Sequence, residues 1–166
     1  VSWDLLNHHL YLPFSWLSGR HVGDLFAAGP QSYQNPLGYV PGYLLITAGW
    51  PAWTVGVALT VLQALPAAWA LHRLALALWG PDERHRPWRW LAVALSLAAP
   101  VYLLTVGTTS TDPLCAALVL VALASLIDAR PHTPGRLMVG GAALGLAVAI
   151  KFTSGIFAIA IGVLLL

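Results

Sequence analysis

In the segment Trp3-Asp4-Leu5-Leu6-Asn7-His8-His9 a carboxylate precedes an imidazole by four residues, which places both on one face if the stretch is helical. Asp4 beside His8 or His9 suits proton transfer, or the neighbourhood of a divalent ion. A hydrated helix at a membrane interface would carry the same residues without chemistry. Two more ionisable groups, Asp112 and Lys151, stand at the edges of long apolar runs, where charge is costly and therefore a candidate for function. Each also has a purely structural reading: Asp112 caps a helix opening at Thr111-Asp112-Pro113, and Lys151 snorkels from a helix end. Gln31, Tyr33 and Asn35, followed by Tyr39 and Tyr43, offer amides, hydroxyls and aromatic faces suited to a polyhydroxylated ligand. An aromatic belt with an Asn-Pro turn would have much the same composition.

The elements that must position these groups follow from composition. Of 166 residues 58% are hydrophobic and 8% charged, against roughly 25% charged in an average soluble domain. The expected fold is all-α: a polytopic transmembrane helix bundle preceded by an external loop of short amphipathic interfacial helices. Residues 1–50 form that loop region and 51–166 the bundle of about five spans. The first span runs from Trp53 to Trp79, the second from Trp90 to Val106, and the third from Thr111 to Ile127. Leu137 to Leu166 is too long for one upright span and is divided at Lys151, with the last span cut short. Val1 opens no signal-peptide pattern and Leu166 falls inside an apolar run, so the sequence is expected to be a piece of a longer protein. The net charge of +2 gives no footprint for nucleic acid, and the single Cys115 no disulfide framework.

Arg84, Arg86 and Arg89 occupy one expected connection, and Arg130 and Arg136 another two spans later, which makes both cytoplasmic. By alternation Asp4, His8, His9, Arg20, Asp24, Asp112 and Lys151 then share the opposite face, although they come from three separate parts of the chain.

Three local patterns resemble the multi-spanning glycosyltransferases of the GT-C class, in particular the bacterial branch similar to protein O-mannosyltransferases. Trp3-Asp4-Leu5 through Leu17-Ser18-Gly19-Arg20 resembles the first external loop. Asn35-Pro36-Leu37 with Pro41 and Tyr43-Leu44-Leu45 is similar to the stretch leading into the next span. Gly145-Leu146-Ala147 through Lys151-Phe152-Thr153 looks like the family's helix ending in a Lys and an aromatic, and Thr111-Asp112-Pro113 is a further echo. The pattern departs at Asp4-Leu5, where many relatives carry paired acidic residues.

The resemblance implies an enzyme in a bacterial plasma membrane, with residues 1–50 outside, that transfers a sugar from a polyprenyl-phosphate donor to an acceptor on the external face. Membrane lipids are its other partners. Asp4 would be the base, and desolvation at the lipid edge makes a carboxylate a stronger one. Arg20 or Lys151 would meet the leaving phosphate, with His8, His9 and Asp112 as further substrate or phosphate contacts and Gln31, Tyr33 and Asn35 against sugar or acceptor. No metal ligand is assigned, although a divalent ion remains compatible with Asp4 and the histidines. The competing class is a transporter or non-catalytic scaffold in which Asp112 and Lys151 line a polar pathway or join two helices.

Overall fold

The computed structural model describes residues 3–24, 34–127 and 133–164. All regular structure in those residues is helical. The candidate residues Gln31 and Tyr33, and the topological marker Arg130, lie outside them.

Residues 3–24 and 34–50 form short pieces, as their interrupted apolar pattern predicts. A π-helical turn spans Leu5–His9, α1 covers Tyr11–Leu17, and a 3₁₀ turn spans Arg20–Val22 after Gly19. A second 3₁₀ turn, Pro36–Gly38, is opened by Asn35, whose side-chain oxygen accepts from the Leu37 N–H at 3.0 Å. The next helix, α2, covers Val40–Thr47.

The long helix α3, Ala52–Trp79, begins after Pro51 and ends at Gly80, where φ is +72°. Its 28 residues span about 42 Å at 1.5 Å per residue, enough for the roughly 30 Å of a bilayer core. Among the described helices it is the one long and apolar enough to cross a membrane.

The second expected span is two helices, α4 (Arg86–Leu97) and α5 (Pro100–Thr105). Pro100 is responsible. It has no N–H for the i−4 carbonyl and forces the preceding residue out of the helical region, and Ala99 sits at φ −57°, ψ 131°. The N-terminal boundary also moves, because α4 starts at Arg86 with Pro87 in its first turn. Arg89 is therefore not a loop charge. It is 4% exposed, and its Nη1 donates to the Gly80 and Asp82 carbonyls at 2.8 and 2.9 Å, closing the turn that follows α3.

The helices α6 (Asp112–Leu126) and α7 (Pro134–Ile150) are apolar but only 15 and 17 residues long. The predicted break at Lys151 is present: Lys151 is extended (φ −141°, ψ 105°), a 3₁₀ turn follows at Phe152–Ser154, and α8 runs over Gly155–Leu164. Central α6 packs against both α3 and α7. Small side chains permit the close approach: Ala67, Ala70, Ala117, Ala122 and Ala147 are at most 1% exposed. A Cβ added at Gly140 would lie 2.7 Å from Leu126 Cγ. Outward faces stay apolar, with Leu65, Val101, Met138, Ile156, Ile159 and Val163 each more than 60% exposed.

Candidate active site

The end of α5 with the loop after it, the end of α7 and the turn opened by Asn35 meet beside the Leu5–His9 turn. They enclose a cavity of about 750 Å³. Asp4, His8 and His9 line it from one side, Gln34, Asn35 and Tyr39 from a second, Thr108 to Asp112 from a third, and Ile150 to Thr153 from the last. The cavity therefore gathers Asp4, His8, His9, Asn35, Asp112 and Lys151 from distant parts of the sequence.

The approach of the walls depends on Gly38. A Cβ there would lie 2.6 Å from Thr111 Cγ2 and 2.7 Å from Ile150 Cγ2, so only glycine lets this turn reach both α6 and α7. Lys151 Nζ forms an ion pair with Asp112 Oδ1, joining the end of α7 to the start of α6. Both side chains stay accessible, 40% and 58% exposed. Asp112 does not cap its helix as expected. Instead its carboxylate accepts from Ser110 Oγ at 3.1 Å, and its own N–H points to that oxygen at 3.4 Å. Thr111 holds the N-cap position, and the Asp112 carboxylate, one residue inside the helix, is taken up by Ser110 and Lys151.

Asp4 and His8 face one another, as the four-residue spacing predicts, with Oδ1 and Nδ1 3.9 Å apart. That is outside hydrogen-bond range. His8 is 6% exposed and its Nδ1 has no partner. Asp4 is 60% exposed, so the desolvated setting expected for it is not supplied by the protein around it. His9 stacks on Tyr39 with ring centroids 4.5 Å apart, and its Nδ1 lies 2.7 Å from Thr109 Oγ1. Burial pushes the His9 pKa down to about 4, with the neighbouring His8 adding to the effect and Asp4 opposing it. Burial also lowers that of His8, against the pull of Asp4. Both rings are thus neutral at pH 7 and can meet a phosphate as hydrogen-bonding groups, not as cations.

Arg20 is not brought to the cavity. Its Nε and Nη2 donate to Asp24 Oδ2 and Oδ1 at 3.1 and 3.3 Å, and its guanidinium lies 5.6 Å from the Phe14 ring centroid. Tyr11 Oη also donates to Asp24, at 2.5 Å, and with Arg20 holds that carboxyl below its ordinary range. Lys151 is then the charged base among the described lining residues. No group of three or more His, Cys, Asp or Glu among the described residues is placed to hold a metal ion.

Sequence reasoning passed over two features. The hydroxyl run Thr108 to Thr111 forms a whole wall, and its signal was an unusual density of Ser and Thr between two apolar runs. The second is Gln63, 3% exposed in the middle of α3. Its Nε2 donates to the Thr108 and Ser110 carbonyls at 3.1 and 3.4 Å, and its Oε1 accepts from the Gly107 N–H at 2.8 Å. A lone amide in an apolar helix was the available sign.

Residues 36–166 match the family model of glycosyltransferase family 87. Neither the curated proteins nor the solved structures gave a match. The matched span takes in every wall of the cavity except Asp4, His8, His9, Gln34 and Asn35. It covers most of the chain, and the protein therefore belongs to glycosyltransferase family 87, a family of membrane glycosyltransferases.

Proposed function

We propose that the cavity is the active site of a multi-pass enzyme that takes a sugar from a polyprenyl-phosphate donor and passes it to an acceptor on the non-cytoplasmic side of the membrane. The observation that carries this reading is the meeting of an accessible carboxylate, Asp4, with an accessible lysine, Lys151, in one cavity at the end of an apolar helix bundle. A lipid-borne donor approaches such a site sideways, its chain along the outward-facing Leu, Ile and Val residues and its head in the polar cavity. The arginines Arg84, Arg86 and Arg89 lie past the far end of α3, and Arg136 at the far end of α7, which favours a cytoplasmic placement for those ends.

In the proposed reaction Asp4 accepts the proton of the acceptor hydroxyl as that oxygen bonds to the anomeric carbon. The bond from this carbon to the phosphate oxygen breaks, and the lipid phosphate leaves with the electron pair. Lys151 stabilises the charge that develops there. An ammonium has three N–H donors, so the contact with Asp112 leaves two for phosphate. Arg20, engaged with Asp24, is not given this role. The exposure of Asp4 is compatible with a base that is desolvated only when donor and acceptor fill the cavity. His8 Nδ1, buried and unpartnered, is proposed to bond the substrate, with Asn35 and Gln34 against sugar or acceptor hydroxyls.

The test uses the full-length protein in membranes with a panel of radiolabelled polyprenyl-phosphate sugars. Transfer is expected from at least one donor, with loss of about three orders of magnitude in Asp4→Asn, in the range for removing a general base. Lys151→Ala is expected to raise the donor KM about tenfold or more. Full activity in Asp4→Asn removes that residue from the chemistry. One observation favours the other class: Asp112 and Lys151 do join two helices, as a scaffold would require. No transfer from any donor, together with solute flux in vesicles, would favour that class.

A further inference from the structure

We infer that Gln63 is a positioning residue for the sugar-transfer reaction: from inside α3 it fixes the Gly107 to Ser110 loop, and through it the Asp112 that holds Lys151. This rests on the proposed role of Lys151 at the leaving phosphate.

Within α3, Gln63 is 3% exposed and turned inward. A buried primary amide is costly unless its donor and acceptor positions are used. Gln63 uses both, and all its partners belong to one short loop, at Gly107, Thr108 and Ser110. These are backbone groups that the loop's own residues leave unpaired. The loop is also forced close to α3. Gly107 has φ +75°, and a Cβ there would collide with Thr60 Oγ1 and lie 3.1 Å from the Gly56 carbonyl oxygen. The chain is thus held at Gly107 by lack of space and at three backbone groups within four residues by one amide.

The loop's far end is chemical. Ser110 N–H donates to Thr108 Oγ1 at 3.1 Å, Ser110 Oγ donates to Asp112, and Asp112 pairs with Lys151. Thr109 meets His9 on the opposite wall. A shift of the loop therefore moves the lysine's partner and one cavity wall together. Gln63 itself does not line the cavity, so it acts through the loop and not by touching substrate.

Gln63→Met keeps the volume and removes all three bonds, and Gln63→Glu, neutral in this buried setting, keeps the acceptor for Gly107 and one O–H to donate to a loop carbonyl. In the full-length protein, hydrogen exchange of residues 106–111 is expected to accelerate at least tenfold in Gln63→Met, with helices 52–79 and 112–126 unchanged, and by less in Gln63→Glu. The donor KM is expected to rise at least fivefold in Gln63→Met while kcat changes less than threefold, and to recover in part in Gln63→Glu. Unchanged loop exchange overturns the inference, and so does a fall in transfer that merely follows lost folded protein with KM unaltered. If Gln63→Met does not fold, Gln63→Glu carries the same two readings. A wild type that transfers no sugar while Gln63→Met still frees the loop retires the proposed function and this role in it, and keeps the clamp.

Discussion

The Lys151–Asp112 pair and His9 hold unlike electrostatic positions in the cavity, with different consequences. Lys151 and Asp112 form an accessible pair, which water weakens, so the pair orients the lysine more than it stabilises the fold. Lys151→Ala should therefore change donor affinity far more than the unfolding midpoint, and the two are measured on one preparation. His9 behaves oppositely. Its folded pKa of about 4 lies below that of an unfolded histidine near 6.5, so the unfolded chain binds the extra proton between those values. The stability from this ring is fully present above about pH 6.5 and is lost as pH falls toward about 4, at no more than about 1.4 kcal/mol per pH unit. Thermal midpoints in detergent across that window should fall, and His9→Gln should flatten the slope. Asp4 stands out in the sequence by its spacing from His8, and Asp112 and Lys151 as charges bordering apolar runs. Arg20 looked equally good and is not in the cavity, since the presence of Asp24 four residues on says nothing of which partner the arginine takes.

Element boundaries show where sequence reading succeeds and fails. The break at Lys151 was readable, since a lysine followed by Thr153, Ser154 and Gly155 interrupts an otherwise unbroken apolar run. The break before Pro100 was equally encoded and was overridden by the hydropathy of Leu91 to Thr111, although proline removes a helical hydrogen bond whatever surrounds it. Arg89 has the sequence context of a loop charge because its burial depends on the turn it closes. Arg89→Ala leaves the Gly80 and Asp82 carbonyls without that donor and should cost about 1–3 kcal/mol, seen as a lower unfolding midpoint without change in donor KM. Gly107→Ala requires a left-handed conformation and a collision with Thr60. It should cost about 1–3 kcal/mol and, unlike Arg89→Ala, also raise the donor KM.

At the scale of the molecule the chain is organised end to end. The start of α6 and the end of α7 line the cavity, and the first half of α3 packs against the loop that forms one of its walls, while the far ends of α3 and α7 carry Arg84, Arg86, Arg89 and Arg136. In a background with Cys115→Ala, a cysteine at Thr108 should react with a membrane-impermeant maleimide from outside intact cells. One at Arg84 should react only after the membrane is opened. Labelling of both from the same side would contradict the orientation. The all-helical character and the apolar exterior were plain from composition, whereas the number of crossings was not: one described helix meets the length requirement where about five spans were expected. Composition records preference for lipid, while proline and helix ends decide how far each segment reaches.

Gly38 touches Thr111 and Ile150 at once, and this fixes an order of events in biosynthesis. The segment around Asn35 leaves the ribosome well before either partner exists, so it cannot dock when it is made. It must wait, unpaired, until the second of its two neighbours has been synthesised and inserted. The cavity is consequently not closed until its latest-made wall exists for the much earlier Asn35 segment to meet, and a chain interrupted before residue 150 would have helices without this cavity.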